Sequence, residues 1–583
     1  MQKSYRRIET MCKCIRDNRI IFYFYVNDRF LWRNTKRQVD VISVKTIINR
    51  IFLLEQNMYF YTKNMRTFLF FIFFGSFLGL QAQDKYWVYL VDKDTVGFNP
   101  YRFFDEKAIE RRNIMGLSLY DFSDIPVDKS YVEALRSFSD TVLYASRWFN
   151  AVCLKADNDQ IEAIRALPFV VSVELATSGY FILASQNEID SENNYIDSLL
   201  LFKQLDIMQG SLFRDNGFTG KGIRIAIFDG GFPNVDVLPC FSYIRDNKRI
   251  IKTWDFARNK ENVYDYNSHG TIVMCCIAGI NDDGTPFGLA TDAEFLLART
   301  EVNPEPFSEE ENWVAALEWA DQNGADIVNS SLGYTNNRYF PFDMDGKTSF
   351  VTRGANMAVS KGILVVNAAG NDGDSKWRII GAPADADSIL SVGGVDPFSE
   401  YHINFSSFGP TADGRLKPDV CAAGEAFAYG KNKTGVHYGT SFASPLTAGF
   451  AACAMQASPE VKGYEMLLKM RESGHLYPYY DYAHGYGIPQ ASFFAGHKPE
   501  FIDTEIQIDN NSGMLTVWVQ PIDSTGGRNN LCYIHCSDGD GKLLWYKVFK
   551  VYDNTVFEES IPDFEKGTIL RVHYRGITKT YSF

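Results

Sequence analysis

The 583 residues leave room for about four structural units, or fewer if one is a large α/β domain. With 46% apolar and 22% charged residues the chain has the make-up of a globular protein, which excludes a disordered, collagenous or polytopic membrane chain. A net charge of −13 without a basic stripe excludes a nucleic-acid partner, and ten cysteines are too few for a disulfide scaffold.

Charge divides the chain. Residues 1–64 hold 13 Lys/Arg against 5 Asp/Glu, a net +8, so the remainder carries −21. In residues 65–83, MRTFLFFIFFGSFLGLQAQ, Lys63 and Arg66 flank an apolar or small run from Phe68 to Leu80, and Ala82 ends a segment suited to cleavage. That is the pattern of a secretory signal peptide, too short for the roughly 20 residues of a membrane span. A signal peptide belongs at an N-terminus. Met65 therefore reads as the biological start and residues 1–64 as a misassigned extension; the alternative is a cytoplasmic tail ahead of a signal anchor. The protein is expected to be secreted or on the cell surface, meeting the membrane only transiently through the signal peptide.

Residues 84–185 read as a small α+β unit. KYWVYLV is a strand, YVEALRSF an amphipathic helix, DTVLYASRWFNAVCLKA two strands, NDQIEAIRALP a helix and FVVSVELA a last strand. The order βαββαβ predicts a ferredoxin-like sandwich. Residues 186–199 are polar and acidic and read as a linker. From 200 to 497 apolar strand runs alternate with helical runs. IRIAIF and ILVV are apolar on both faces, as strands of a covered parallel sheet are, so the fold class is α/β. From 498 to 583 the pattern becomes EIQIDN, MLTVWVQ, NLCYIHC, LLWYKVFKV and ILRVHY between Gly/Asp/Asn turns, a C-terminal β-sandwich module. Seven cysteines lie beyond the first unit, so at least one has no partner within the chain. Cys532 and Cys536 share one strand, roughly 13 Å apart, and cannot bridge. Without CxxC or HExxH no structural or catalytic zinc site is expected, and no metal ligand is assigned from these motifs.

Four segments of the α/β unit carry chemistry. IRIAIFDGGF holds Asp229 at the carboxyl end of a buried strand, where open α/β sheets place their sites. NSHGTIVMCCIAGI opens a helix with His269. ILVVNAAGN stops a buried strand at Asn371, whose amide can donate to an oxyanion. YGTSFASPLTAGFAACAM places Ser441 at a helix start whose free N–H groups favour negative charge. Alone, each reads more simply as a turn, a cap or a packing residue. In the order Asp, His, Asn, Ser they are far more specific, since Asp, His, Ser is the chain order of the subtilisin triad.

DGG, SHGT, AAGN and GTSFASP resemble the signature blocks of subtilisin-like serine proteases, and GFTGKGIRIAIFDGGF, SSLGY, FSSFGPTADGRLKPDV and HGYGIPQ extend the resemblance across about residues 200–497. The resemblance implies a secreted serine endopeptidase made as a precursor. Residues 84–185 look like its inhibitory prosegment, an intramolecular partner beside polypeptide substrates. It implies Ser441 as nucleophile, His269 as general base and acid, Asp229 as its orienting carboxylate, and Asn371 with the Ser441 N–H as oxyanion donors. Ser331, Leu332 and Gly333 would pair with an extended substrate, and Ala368, Ala369 and Gly370 would line the primary specificity pocket. Tyr334 stands where many relatives have a second glycine, which predicts a narrower or aromatic neighbouring subsite. No cofactor is required for the chemistry. Relatives often bind structural calcium, for which Asp343, Asp345 and the loop 282–285 are candidates, although solvated turns explain such acidic loops more simply. The runner-up function is a catalytically silent, subtilase-like surface binding protein. Another acyl hydrolase is disfavoured because Ser441 lacks a G-x-S-x-G elbow.

Overall fold

The computed structural model describes residues 84–176, 194–302, 308–496, 505–520, 530–551, 556–560 and 567–583, apart from 140, 337, 431 and 512–513. The extension and signal-peptide readings lie outside these residues. Among the described residues no helix is long and apolar enough to cross a membrane.

The first unit runs β1 (Asp84–Leu90), α1 (Pro100–Phe103), α2 (Glu106–Ile114), α3 (Lys129–Phe138), β2 (Thr141–Ser146), β3 (Ala151–Ala156), α4 (Asn158–Arg165) and β4 (Val170–Leu175). Its antiparallel sheet has the order β2-β3-β1-β4, the expected ferredoxin-like arrangement. The addition is α1–α2. Both helices announce themselves locally: the Asn99 and Asp105 side chains cap their first N–H groups, and Pro100 occupies a first-turn position where no N–H is needed.

The polar segment read as a linker to residue 199 is helical from Asn194 onward. Helix α5 spans Asn194–Asp206, and Leu200, Leu201 and Leu205 are buried in the α/β unit; its polar N-terminal half conceals an apolar anchor. Next come β5 (Arg224–Asp229), β6 (Ile250–Asp255), α6 (His269–Ala278), β7 (Glu294–Arg299), α7 (Ser308–Gln322), β8 (Ile327–Ser330), α8 (Phe350–Ser360), β9 (Leu364–Ala368), β10 (Leu390–Val395) and β11 (Val420–Ala423). These seven strands form one parallel sheet, β11-β10-β9-β8-β5-β7-β6. Strand β5 lies where the order reverses, the place where such sheets open a crevice at their carboxyl ends. A hairpin, β12 (Glu425–Tyr429) and β13 (Thr434–Tyr438), leads into α9 (Thr440–Ala457). Helices α6 and α9 are almost wholly buried and touch through small residues: a Cβ on Gly449 would stand 2.9 Å from the Ile277 carbonyl oxygen.

The first unit sits on α7 and α8. Trp87 and Phe350 meet at 4.5 Å between ring centroids, inside a core that also holds Trp148, Cys153, Trp313 and Val314. Beside this apolar contact lies a buried ionic lock. Asp321 of α7, fully buried, receives Arg111 at 2.5 Å, Arg112 at 3.0 Å and Arg147 at 2.7 Å, all from the first unit. One turn earlier, Glu318 accepts from Ser146 Oγ and from the backbone N–H groups of Arg147 and Trp148. Burial pushes the Asp321 carboxyl up, but the three guanidiniums outweigh it and hold the group below the usual carboxylate range. Removing one member of a buried charge cluster costs about 3–5 kcal/mol, because its partners stay buried and uncompensated. Asp321→Ala is expected to weaken binding of the cleaved first unit to the α/β unit by at least about 10²-fold, measured by titrating one against the other.

The C-terminal residues form β14 (Ile506–Asn511), β15 (Met514–Val519), β16 (Leu531–Ser537), β17 (Leu543–Lys550), β18 (Val556–Ser560), β19 (Ile569–Tyr574) and β20 (Ile577–Ser582). Sheets β14-β15-β18 and β17-β16-β19-β20 share one core, containing Leu515 and Val517 from one and Ile534 and Val572 from the other, which is a sandwich. Strands β18 and β20 were not among the expected five. Both are short and rich in Glu, Thr or Lys, so neither gives a clean apolar alternation.

Candidate active site

Asp229 closes β5 and is 1% exposed. Its Oδ1 accepts the Gly230 N–H at 2.7 Å, and its Oδ2 stands 2.8 Å from His269 Nδ1. His269 opens α6, and its own N–H is received by Asn267 Oδ1 at 3.0 Å. The glycines around the pair are steric requirements. A Cβ on Gly270 would come within 2.3 Å of the Gly231 carbonyl oxygen and 2.9 Å of Asp229 Cβ, so His-Gly lets α6 lie directly against the Asp-Gly-Gly turn. Gly231, at φ 145°, would meet the Asp265 carbonyl oxygen in the same way. The sequence pattern thus encodes a close approach of backbones as well as the two reactive side chains.

Ser441 is the second residue of α9, behind a Gly439 cap. Its N–H belongs to the first helical turn, which has no intrahelical acceptor. The Asn371 Oδ1 accepts both the N–H and the hydroxyl of Thr440, each at 2.9 Å. That leaves Asn371 Nδ2 as the amide's donor end. An added Cβ on Gly439 would lie 3.3 Å from this nitrogen and 3.6 Å from the Ser441 N, so the two donors border one small space that glycine keeps clear. Thr440 is the residue that sequence reasoning missed. Its hydroxyl also accepts the Gly370 N–H at 3.3 Å, and its place beside Ser441 in the GTS block was the available signal.

One expected contact takes a different form. The Ser441 hydroxyl donates to the Ser331 carbonyl at 3.2 Å, and Ser331 Oγ donates back to the Ser441 carbonyl at 2.9 Å. The described hydrogen bonds of Ser441 therefore join it to the end of β8 rather than to His269. The two elements are nonetheless adjacent: the His269 ring lies 5.6 Å from the ring of Phe442, the residue after Ser441. On Phe442 also rests His437 of β13, at 5.5 Å; burial pushes its imidazole down to about 4, so it is neutral at pH 7. His437 was not singled out from sequence, although it stands four residues before Ser441.

Ser331 and Leu332 are largely buried and Gly333 is exposed, continuing the chain line of β8 without further ladder pairing. Tyr334 then exchanges both backbone hydrogen bonds with Ala382, at 2.8 and 3.0 Å. The Tyr334 ring is 2% exposed, with the Arg338 guanidinium over it at 4.3 Å, so it packs under the strand as core. Ala368 ends β9, Ala369 is buried, and Gly370, at φ 118°, approaches Ser407 so closely that a Cβ would meet its hydroxyl at 2.7 Å. The calcium candidates close their own turns: Asp343 accepts from Phe340 N, Asp345 from Lys347 N, Thr348 N and Thr348 Oγ1, and Asp283 from Thr285 N. Among the described residues no group of three or more His, Cys, Asp or Glu is placed to hold a metal ion.

Residues 220–487 match the Peptidase S8 family model, described as Subtilase family, and residues 85–192 match the Peptidase S8 propeptide domain of Bacteroidota. Subtilisin DY of Bacillus licheniformis is 28% identical over 45% of this chain and 87% of its own length. Alkaline elastase YaB of Bacillus sp. (strain YaB) is 28% identical over 53% of this chain and 75% of its own, and subtilisin E of Bacillus subtilis (strain 168) 31% identical over 42% and 58%. A crystal structure of a cold adapted subtilisin-like serine proteinase aligns with 44% of this chain and 84% of its own at 22% identity and a TM-score of 0.36. From the order of the sheet and the two family-model matches, the chain carries a subtilase-family Peptidase S8 domain of subtilisin-like fold behind a Bacteroidota-type Peptidase S8 propeptide domain.

Proposed function

We propose that the protein is an exported serine endopeptidase made as an inhibited precursor, with Ser441, His269 and Asp229 as its triad. The observation that carries this reading is the buried 2.8 Å pair between Asp229 and His269 Nδ1, which holds the imidazole with Nε2 as its other nitrogen. The reading requires the Ser441 hydroxyl, which donates to the Ser331 carbonyl, to turn to that nitrogen about its Cα–Cβ bond. In the reaction the hydroxyl attacks a peptide carbonyl while His269 takes its proton. His269 then protonates the leaving amine, and water repeats the sequence on the acyl-enzyme. Asp229 stabilises the imidazolium. Asn371 Nδ2 and the Ser441 N–H receive the oxyanion, in a space already kept open by Gly439.

The substrate would lie extended along Ser331–Gly333, with its carbonyl-side residue between Ala368–Gly370 and that segment. Small uncharged walls favour an apolar or broad preference. The last strand of the propeptide domain leads into a cleft of about 310 Å³, where Glu174–Ala176 meet Glu310, Arg338 and Tyr339, and Arg338 in turn lies over the Tyr334 ring. That placement supports inhibition by its own prosegment. Export rests on residues 65–83, and the Bacillus subtilis relative called minor extracellular protease Vpr is in keeping with it. Digestion of a peptide library by the purified mature form tests the proposal: internal cleavage with a preference at the residue before the cut is expected, and an undigested library would favour the silent binding protein.

A further inference from the structure

Arg299 ends β7, in register with Asp229 at the end of β5 and with Asp255 at the end of β6. It is 3% exposed. Its Nε donates to the Gly230 carbonyl at 3.0 Å, and its Nη1 to both carboxylate oxygens of Asp255, at 3.1 and 3.0 Å. The guanidinium carbon lies over the Tyr266 ring, 3.7 Å from its centre, and Arg258 and Lys260 also approach the ring, at 4.6 and 5.3 Å.

Each of these contacts is one step from the Asp229–His269 pair. Gly230 is the residue whose N–H holds Asp229 Oδ1. Tyr266 has φ 77°, bridges to Gly231, and precedes Asn267, which receives the N–H of His269. One buried cation therefore grips both the turn behind the carboxylate and the loop that delivers the imidazole. A residue needed only to neutralise Asp255 would not require this shape. The Nε bond to Gly230, made together with the Nη1 bonds to Asp255, uses the fork of a guanidinium, which lysine does not have.

We propose that Arg299 is a positioning residue for the Asp229–His269 pair, setting the orientation of the carboxylate through Gly230 and of the imidazole through Tyr266. The inference rests on the hydrolase reading above. It predicts a kinetic signature separable from stability. In Arg299→Lys, kcat per active site falls about 10–100-fold, the scale of an ångström-level misplacement of a reacting group. KM is unchanged, because Arg299 does not face the Ser331–Gly333 segment. The acid limb of the pH–rate profile moves to lower pH, because a carboxylate free to swing stabilises the imidazolium less.

The experiment measures kcat, KM and their pH dependence on the mature enzyme, with active sites counted by fluorophosphonate labelling. Arg299→Lys is compared with the double variant Arg299→Met/Asp255→Asn, which leaves no buried charge unpaired and so keeps the fold accessible. A lowered kcat with a displaced acid limb in both variants is the expected result. Unchanged kcat and acid limb per labelled site, with loss confined to the labelled fraction or the melting temperature, would overturn the inference. Wild-type protein that takes no label at Ser441 sinks the hydrolase reading and this inference with it; labelled wild type with kinetically unchanged variants sinks this inference alone.

Discussion

Replacing Ser441 by alanine is expected to lower peptide hydrolysis by about 10⁶ in kcat, and His269→Ala by a similar factor, with the double variant no worse than either. In the proposed triad the two side chains act as one unit. A serine hydroxyl has almost no alkoxide at neutral pH, so without His269 Nε2 to take the proton the nucleophile is idle, and without the nucleophile the base has nothing to activate. The oxyanion donors, Asn371 Nδ2 and the Ser441 N–H, do not depend on either group. Asn371 is held by Thr440, and the N–H by the start of α9, so some rate over water remains in every variant. The precursor reports the same loss. If the enzyme removes its own prosegment, Ser441→Ala accumulates with residues 84–176 still attached, read as a single band at the full exported mass. Processing of that variant at the normal rate would assign maturation to another protease while leaving the kinetic prediction standing.

The second large effect is on stability against acid, and it comes from the seam between the α/β unit and the C-terminal sandwich. His402, His475 and His484 of the former meet His535 and His573 of the latter around Tyr479, Tyr482, Tyr533 and Tyr546. Arg571 Nη2 lies 3.0 Å from His535 Nδ1, Thr578 Oγ1 2.9 Å from His573 Nδ1, and Asp481 holds His484. Burial pushes the imidazole of His402 down to about 3 and those of His535 and His573 to about 4. A buried base whose folded pKa lies below its unfolded value of about 6.5 contributes stability above that value and loses it as pH falls towards the folded pKa. Between pH 6.5 and about 4 each of the three gives up as much as about 1.4 kcal/mol per pH unit, together several kcal/mol per unit. Asp481 acts in the same direction at lower pH. Burial raises its carboxyl, but His484 outweighs this and the group is held below the ordinary value. Thermal unfolding of the Ser441→Ala form, which cannot digest itself, is expected to show a melting temperature that drops steeply below pH 6.5. His535→Gln should flatten the slope. A melting temperature constant from pH 7 to 4.5 would mean that these imidazoles are not desolvated.

The four candidate side chains each sit in a short block whose neighbours are forced by close packing, which is why the blocks stand out in the sequence. Gly270 and Gly231 allow α6 to touch the Asp229 turn, and Gly439 keeps the oxyanion space open. The two-sided apolar strands and the βαββαβ order made the layers legible for a similar reason, since burial on both faces leaves little freedom of composition. What was not legible depends on partners far apart in the chain. Nothing in the run ERR at residues 110–112 says that Asp321, more than 200 residues later, will gather Arg111, Arg112 and Arg147 into one buried lock. Five histidines scattered from 402 to 573 carry no sign of a shared seam. Helix α5 was hidden behind an acidic start, and β20, with the sequence ITKTYS, by the polar alternation of a sheet-edge strand. The Ser441 hydroxyl donates to the Ser331 carbonyl, a rotamer choice that residue spacing does not encode.

The most direct measurement is covalent labelling of the mature protein with a fluorophosphonate, followed by mapping of the modified peptide. The account predicts one modified residue, Ser441, with labelling lost in His269→Ala. A label on a different residue, or one that survives the histidine change at the wild-type rate, would contradict it.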